Sequence, residues 1–186
     1  MDTSSFLTPG NKILYEIYKD KGGKLWVSAF DVESFIIDIR DYIVQKYPLP
    51  DLRNQLKANP AINSLCKDED GIFWFSQDRY GLCIYDSRKE KLKHYSQCQG
   101  TRNLPFGDVT NIARSYNHNW IWATSYGPTV FGLSQQNMEM KEDVRIELGN
   151  VTNNPGLITS LFEDPQNNLW IGTTTGLFVY LSLIHI

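Results

Sequence analysis

The chain has 186 residues, and its 18 Lys plus Arg stand against 21 Asp plus Glu, for a formal charge of −3. That balance offers no basic footprint for a phosphate backbone, so nucleic acid is not an expected partner. A hydrophobic share of 41% with 13% aromatic residues describes a globular chain, and no stretch approaches the roughly 20 apolar residues of a membrane span, so no membrane contact by this segment is expected.

Read from the N-terminus, residues 1–11 form a lead-in without the charged-then-apolar pattern of a secretory signal. From there one unit is written four times. Trp26, Trp74, Trp122 and Trp170 recur at an interval of 48 residues, and a period of that length points to a stacked or circular repeat. The units are 12–60, 61–108, 109–157 and 158–180. The first reads Leu14, Ile17, Asp20, Gly23, Leu25, Trp26, and the second reads Ile62, Leu65, Asp68, Gly71, Phe73, Trp74 without a gap. Asp38 and Asp86 keep the same interval, as do Tyr47 and Tyr95. The third unit carries one extra residue ahead of its tryptophan and a longer stretch after Gly127. Ile112, Trp122 and Gly127 mark its frame. The fourth reads Ile158, Leu161, Asp164, Asn167, Leu169, Trp170, and its Gly176, Leu177 and Tyr180 answer Gly81, Leu82 and Tyr85. Residues 181–186 have no counterpart in the earlier copies and are read as a truncated or non-native tail.

Within each copy short apolar runs alternate with turns, which predicts four strands per unit. In the second copy they fall near Ile62–Lys67, Ile72–Ser76, Gly81–Tyr85 and Lys91–Ser96. The first turn holds Gly22-Gly23, Asp70-Gly71 or Asn167-Asn168, residue types that share a tolerance for positive φ. The tryptophan strands are apolar at consecutive positions, as in Ile72-Phe73-Trp74-Phe75 and Leu169-Trp170-Ile171. Strands without a water-facing side need a neighbouring sheet on each face. The expected fold is therefore all-β, a β-propeller fragment of about four blades of four antiparallel strands with the fourth incomplete. A short helix is expected only between Pro50 and Pro60, inside a connecting loop.

Chemistry-bearing residues are sparse. Cys66, Cys83 and Cys98 have no zinc-like spacing, and the first two occupy apolar strand positions, so they read as buried thiols. The crowded carboxylates of Asp68, Glu69 and Asp70 lie in one turn and supply neither six oxygens for calcium nor a pair across a cleft. No catalytic residue, metal or cofactor is expected. The ladder tryptophans read as packing residues. Binding groups are sought instead on the loops between second and third strands, which share one rim with the connections between units. The candidates there are Gln77, Asp78, Arg79 and Tyr80 in the second unit and Ser125 and Tyr126 in the third. They combine hydroxyl-binding groups with aromatic faces, the mixture a saccharide needs.

Gly71-Ile-Phe-Trp-Phe-Ser with Gly81-Leu-Cys-Ile-Tyr-Asp86, and Asn167-Asn-Leu-Trp-Ile-Gly-Thr173 with Gly176-Leu-Phe-Val-Tyr180, resemble the two-component regulator propeller repeat. The resemblance covers residues 12–180 and is weakest in the third copy, where Ala123 and Thr124 stand for a Gly-Thr pair. It implies the periplasmic sensor half of a hybrid histidine kinase of an inner-membrane, homodimeric kind, often regulating polysaccharide use in Gram-negative bacteria. The implied partners are an oligosaccharide ligand and the remainder of the sensor ectodomain, and the implied role is input rather than catalysis. Kinase, receiver and DNA-binding modules of such parents have no counterpart in this segment, and His94, His118 and His185 lack the surroundings of a phosphoacceptor. The alternatives are a propeller enzyme, a polysaccharide lyase or glycoside hydrolase, and a plain propeller scaffold.

Overall fold

The computed structural model describes residues 14–20, 22–29, 35–38, 40–41, 43–46, 62–68, 70–77, 81–95, 109–116 and 120–181. The expected helix between Pro50 and Pro60 lies outside them. The chain divides into two compact units, 1–61 and 62–186.

The first unit contains one antiparallel sheet in the order β1 (Leu14–Lys19), β2 (Lys24–Ala29), β3 (Phe35–Asp38) and β4 (Ile43–Lys46). Among the described residues the second unit contains three sheets. One is β5 (Ile62–Lys67), β6 (Phe73–Gln77), β7 (Gly81–Asp86) and β8 (Lys91–Tyr95). The next is β9 (Asn111–Arg114), β10 (Trp120–Thr124), β11 (Thr129–Gln136) and β12 (Glu139–Glu147). The last is three-stranded, β13 (Ile158–Glu163), β14 (Asn168–Thr173) and β15 (Gly176–Leu181). Strands pair with their sequence neighbours throughout, so the all-β architecture of four-stranded blades with an incomplete fourth is what the residues form.

Local chemistry explains why the hairpins recur. In three copies the first turn closes through the same pair of backbone bonds, Asp68 N to Ile72 O (2.9 Å) and Gly71 N to Asp68 O (3.2 Å) in the second. Gly23, Gly71 and Asn167 sit at φ of 82°, 80° and 66°, the left-handed region that glycine and asparagine enter at least cost. The hairpin β3–β4 closes on Asp38, whose Oδ1 accepts from Arg40 N at 3.1 Å, and β7–β8 closes the same way on Asp86 with Arg88 N at 3.0 Å. At the place of Asp86 the fourth sheet has Leu181, which ends β15 opposite Asn168, and residues 182–186 of the expected tail lie outside the described residues.

The register assigns each side chain to one of two faces, because alternate residues of a strand point to opposite sides. In the second sheet the rows Ser64–Ser76–Leu82–Tyr95 and Cys66–Trp74–Ile84–Lys93 form the tryptophan face. The third sheet covers that face. Ser64 Oγ donates to Ile112 O at 3.1 Å and accepts from Ile112 N at 3.1 Å, while Tyr95 Oη donates to Met138 O and Lys93 pairs with Glu139. Leu82 and Ile84 of β7, which lie on that face, are fully buried. The third sheet's own tryptophan face packs on the fourth through Trp122, Val130, Ile146, Leu148, Ile158, Leu169 and Ile171. Truncating an indole so enclosed removes roughly 3–5 kcal/mol of stability.

The third copy departs from its expected frame in two respects. Val130 lies across from Thr124 as Leu82 lies across from Ser76, so Thr129 opens β11 where Gly81 opens β7, and Gly127 falls within the preceding loop. Likewise Trp122–Thr124 matches Trp170–Gly172, so Ala123 takes the isoleucine place and Thr124 the glycine place. Spacing misaligned them because Ala, Gly and Thr all fit a crowded inner strand. The longer stretch is real: β11 and β12 run on to a two-residue turn with Asn137 at φ 53° and Met138 at φ 66°. Gly132 opposes Trp122, and a Cβ there would come within 3.0 Å of Val144 Cβ and 3.3 Å of Trp122 Cζ3. The indole fills the space that a side chain would take.

Candidate functional site

Thr124 pairs with Asn111, and Thr129 pairs with Glu147, so the β10–β11 loop, the start of β9 and the end of β12 lie at one end of the third sheet. In the fourth sheet Ile158 pairs with Thr173, which puts the β14–β15 turn beside the connection between sheets. These loops form the expected rim, and they are tied down from below. Thr124 is fully buried, with its Oγ1 3.2 Å from Ser125 O and 3.1 Å from Thr110 Oγ1. Thr129 Oγ1 donates to Glu147 Oε2 at 2.6 Å, and Leu148 N donates to Pro128 O at 2.9 Å. Thr175 Oγ1 donates to Pro155 O at 2.7 Å, and Thr174 N to Leu157 O at 2.9 Å.

Of the candidate binding residues, Ser125 is half-buried and its Oγ accepts from Gly127 N at 3.4 Å, a local turn bond. Tyr126 stands 61% exposed at the tip of the same loop. The backbone of Gln77 closes β6, paired with Ile62 and Gly81. Asp78, Arg79 and Tyr80 lie outside the described residues. The structure therefore brings Ser125 and Tyr126 together on a braced rim. The hydroxyls behind them are occupied in holding the loop.

The titratable groups that lie inside the fold serve a different end. Asp68 Oδ1 accepts from Ile72 N at 2.9 Å and its Oδ2 accepts from Trp74 Nε1 at 2.8 Å. Asp20 holds Lys24 N (2.9 Å) and Trp26 Nε1 (3.0 Å), and Asp164 holds Asn168 N (2.8 Å) and Trp170 Nε1 (2.9 Å). One carboxylate thus closes each turn and satisfies the indole six residues on, an arrangement legible in the spacing Asp20/Trp26, Asp68/Trp74 and Asp164/Trp170 once the pair is read together. Burial pushes the Asp68 carboxyl above its usual range, partly offset by the bonds from Trp74 and Ile72. For Asp164 a weaker upward pull from burial is outweighed by bonds from Trp170 and Asn168, and the group is held low. Of the other acidic-turn residues, Asp70 is exposed, with Gln135 Nε2 3.4 Å away, and Glu69 lies outside the described residues.

The third copy has no aspartate at this turn. Ser115 takes its place, since Ser115 N bonds Trp120 O across the one-residue insertion. The Trp122 Nε1 donor is satisfied instead by Glu163 of the next sheet, which also accepts from Ser115 Oγ at 3.1 Å and is 4% exposed. Sequence reasoning passed over Glu163. Its signal was a reversal of charge, because the first and second copies carry Lys19 and Lys67 at that position. Cys66 and Cys83 are thiols buried on opposite faces of one sheet, as their pairing with Trp74 and Phe75 dictates, and burial pushes the Cys83 thiol well up.

Residues 154–175 match the family model of the two component regulator propeller, a span that contains the Asp164–Trp170 pair. Among curated proteins none matches the chain. The fold is similar to a protein described as the extracellular domain of the hybrid two component system BT3049 of B. thetaiotaomicron, at 24% identity and a TM-score of 0.61, covering 92% of this chain and 22% of that one. A corresponding domain of BT4673 gives 20% identity and a TM-score of 0.60, over 95% of this chain and 22% of the other. The Cps50 (Swd1) β-propeller domain of Myceliophteria thermophila gives a TM-score of 0.63 at 10% identity, over 94% of this chain and 59% of that domain. The chain thus spans about a fifth of the extracellular domains it resembles, 22% in each. Likeness at these identities speaks to the fold.

Proposed function

We propose that this chain is part of the sensory ectodomain of a two-component regulatory system, and that its propeller rim receives an extracytoplasmic ligand, a carbohydrate in the first instance. The observation that carries the reading is the match of residues 154–175 to the two component regulator propeller, on a chain whose tryptophans recur at 48 residues in successive antiparallel sheets. The parent is read as a homodimeric, membrane-anchored histidine kinase with this segment in the periplasm. Tyr126 would stack on a sugar face while Ser125 and the neighbouring backbone bond its hydroxyls. The rim loops are braced by the bonds of Thr124, Thr129 and Thr175, so such a ligand would meet a preformed surface at little ordering cost.

Signalling on this reading is a population shift. Ligand binding biases the sensor between two arrangements only by the difference in its affinity for them. The enzyme alternative would require inward carboxylates free for proton transfer. Asp68, Glu163 and Asp164 are instead engaged by indole N–H groups.

The test is calorimetry and thermal shift of the chain against a panel of oligosaccharides. At a ligand concentration of 100 times Kd, binding raises stability by about 2.7 kcal/mol. A saccharide that binds should lose most of its heat with Tyr126→Ala and keep it with Asp70→Ala, a change at the exposed β5–β6 turn. Silence across the panel refutes the carbohydrate reading, and binding indifferent to Tyr126 refutes the rim.

A further inference from the structure

The rim of the third and fourth sheets is nearly without charge. It is formed by residues 109–111, 124–129, 147–157 and 173–176, and among these described residues Glu147 is the one charged side chain, in a chain of which 21% is charged. Glu147 stands at the foot of the loop that carries Tyr126. Its Oε2 accepts from Thr129 Oγ1 at 2.6 Å, and the N–H of the next residue, Leu148, holds Pro128 O at 2.9 Å. Arg145, two residues back on β12, does not neutralise it. The guanidinium gives Nε and Nη2 to Glu142 at 2.9 Å each, lies over the Phe131 ring and is 4.0 Å from Glu147 Oε1. One cation is shared between two carboxylates, so the local balance stays negative.

Backbone donors do not stand in for a cation on this rim. Gly127 N is bonded to Ser125 Oγ (3.4 Å), Thr152 N to Leu148 O (3.2 Å), Leu157 N to Thr174 Oγ1 (3.1 Å) and Gly176 N to Thr173 Oγ1 (3.2 Å). Groups that would build an anion-binding nest are thus used within the loops. What the loops expose is neutral: the Tyr126 ring and the residues Asn150, Asn153 and Asn154. A side-chain amide both gives and takes a hydrogen bond, which suits a hydroxyl, and a phenol ring suits the C–H face of a pyranose. A carboxylate or sulfate docking here would shed water and meet no cation in exchange.

We infer that this rim takes uncharged saccharides and turns away uronate and sulfated sugars, with Glu147 as the residue that sets the exclusion, an inference that rests on the rim reading proposed above and narrows its ligand class. A like charge about 8 Å from a bound anion, at an effective dielectric constant of about 40, weakens binding roughly sixfold. Lost hydration adds to that. Salt screens the repulsion over a comparable distance, so low ionic strength shows it best.

The test is calorimetry of the chain at low ionic strength, against neutral oligosaccharides and against pairs that share a backbone and differ in charge. Oligogalacturonate with its methyl ester and sulfated galactan fragments with their desulfated form are two such pairs. Neutral sugars should bind through Tyr126, and each charged member should bind about tenfold or more weakly than its neutral counterpart. Glu147→Gln keeps an acceptor for Thr129 and should narrow that ratio roughly sixfold, and Glu147→Lys should narrow it further. A loosened loop alone would leave the ratio unmoved, because both members meet the same variant. A charged member that binds through Tyr126 as tightly as its neutral counterpart overturns the inference and leaves the rim reading standing. So does a ratio indifferent to Glu147→Gln, or preferred binding of a charged sugar that Arg79→Ala abolishes. Silence from every sugar, or binding indifferent to Tyr126→Ala, overturns the rim reading and the exclusion together.

Discussion

Replacing Asp68 by alanine removes the acceptor for two donors at once, Trp74 Nε1 at 2.8 Å and Ile72 N at 2.9 Å, in a place where the carboxyl is 6% exposed and the indole 1%. Water does not reach either donor in such a site, so each loses its bond and keeps its desolvation cost. At about 1.5 kcal/mol apiece the loss is about 3 kcal/mol, reduced somewhat because alanine also removes a carboxylate that burial disfavours. With a urea m-value of about 2 kcal/mol/M, the midpoint should fall by about 1–1.5 M. Asp164→Ala makes the same chemical change in the same turn. There the Trp170 indole is 37% exposed, water takes over the donors, and the midpoint should move far less. Asp68→Asn should fall between wild type and Asp68→Ala, because its one carbonyl oxygen serves one donor while its Nδ2 faces the other. The assay is equilibrium urea unfolding at pH 7, followed by tryptophan emission. Equal losses for Asp68→Ala and Asp164→Ala would refute the claim that burial, rather than the turn bond itself, sets the worth of the pair.

Glu163→Ala strands Trp122 Nε1 and Ser115 Oγ together and should cost about 2–3 kcal/mol, with exchange quickening first in β13 because the bond joins two sheets. Ser115→Asp should destabilise by setting a second carboxylate against Glu163, and the added change Glu163→Gln should recover most of that loss, a coupling read from a double-mutant cycle. Below neutrality, Asp38 is held down to about 2 by its bonds with Arg40, and Asp164 is also held low, so their contributions are complete above the ordinary carboxylate range and are lost as pH falls through their folded values. Asp68 has the opposite sign, since its raised pKa means that protonation favours the folded state as pH falls. Between pH 5 and 3 the urea midpoint should therefore decline, more steeply in Asp68→Asn and less steeply in Asp164→Asn. Gly132→Ala should lower the midpoint by pressing on Trp122 and Val144. In the native chain a thiol reagent should leave Cys66 and Cys83 unmodified until urea exposes them, because both are buried and the Cys83 thiol is held up.

The architecture was legible because each strand repeats a constraint that sequence displays directly. Four in-frame tryptophans gave the units, and Gly23, Gly71 and Asn167, three turn residues with one backbone need, gave the hairpins. The third unit was read less well. Its Gly127 imitates a frame position that Thr129 occupies, and glycine in a loop carries no mark to tell it from glycine opening a strand. The rim followed from strand order, and Tyr126 lies where that order places it. What sequence concealed was the use of the acidic side chains. Asp68 looked like one of three turn carboxylates, while its real partner sat six residues away on the neighbouring strand, at an angle only the folded hairpin creates.

Glu163 shows why such roles escape a reading of one unit at a time. In the second and fourth sheets the indole donor is satisfied from within, so each blade closes its own polar account and contributes mainly apolar area to its neighbour. In the third sheet the insertion at the turn displaced the acceptor, and Trp122 would carry a buried orphan donor unless the next sheet answered it. A glutamate one residue ahead of Asp164 reaches across the junction, where the first and second copies place a lysine. The junction between third and fourth sheets thereby shares a buried carboxylate, whereas at the junction between second and third the buried bonds join Ser64 to the Ile112 peptide and Tyr95 to Met138 O, and the charged pair, Lys93 with Glu139, lies at the exposed margin. Deleting Glu163 should therefore loosen a whole sheet from its neighbour, whereas deleting Asp68 should weaken the sheet that contains it.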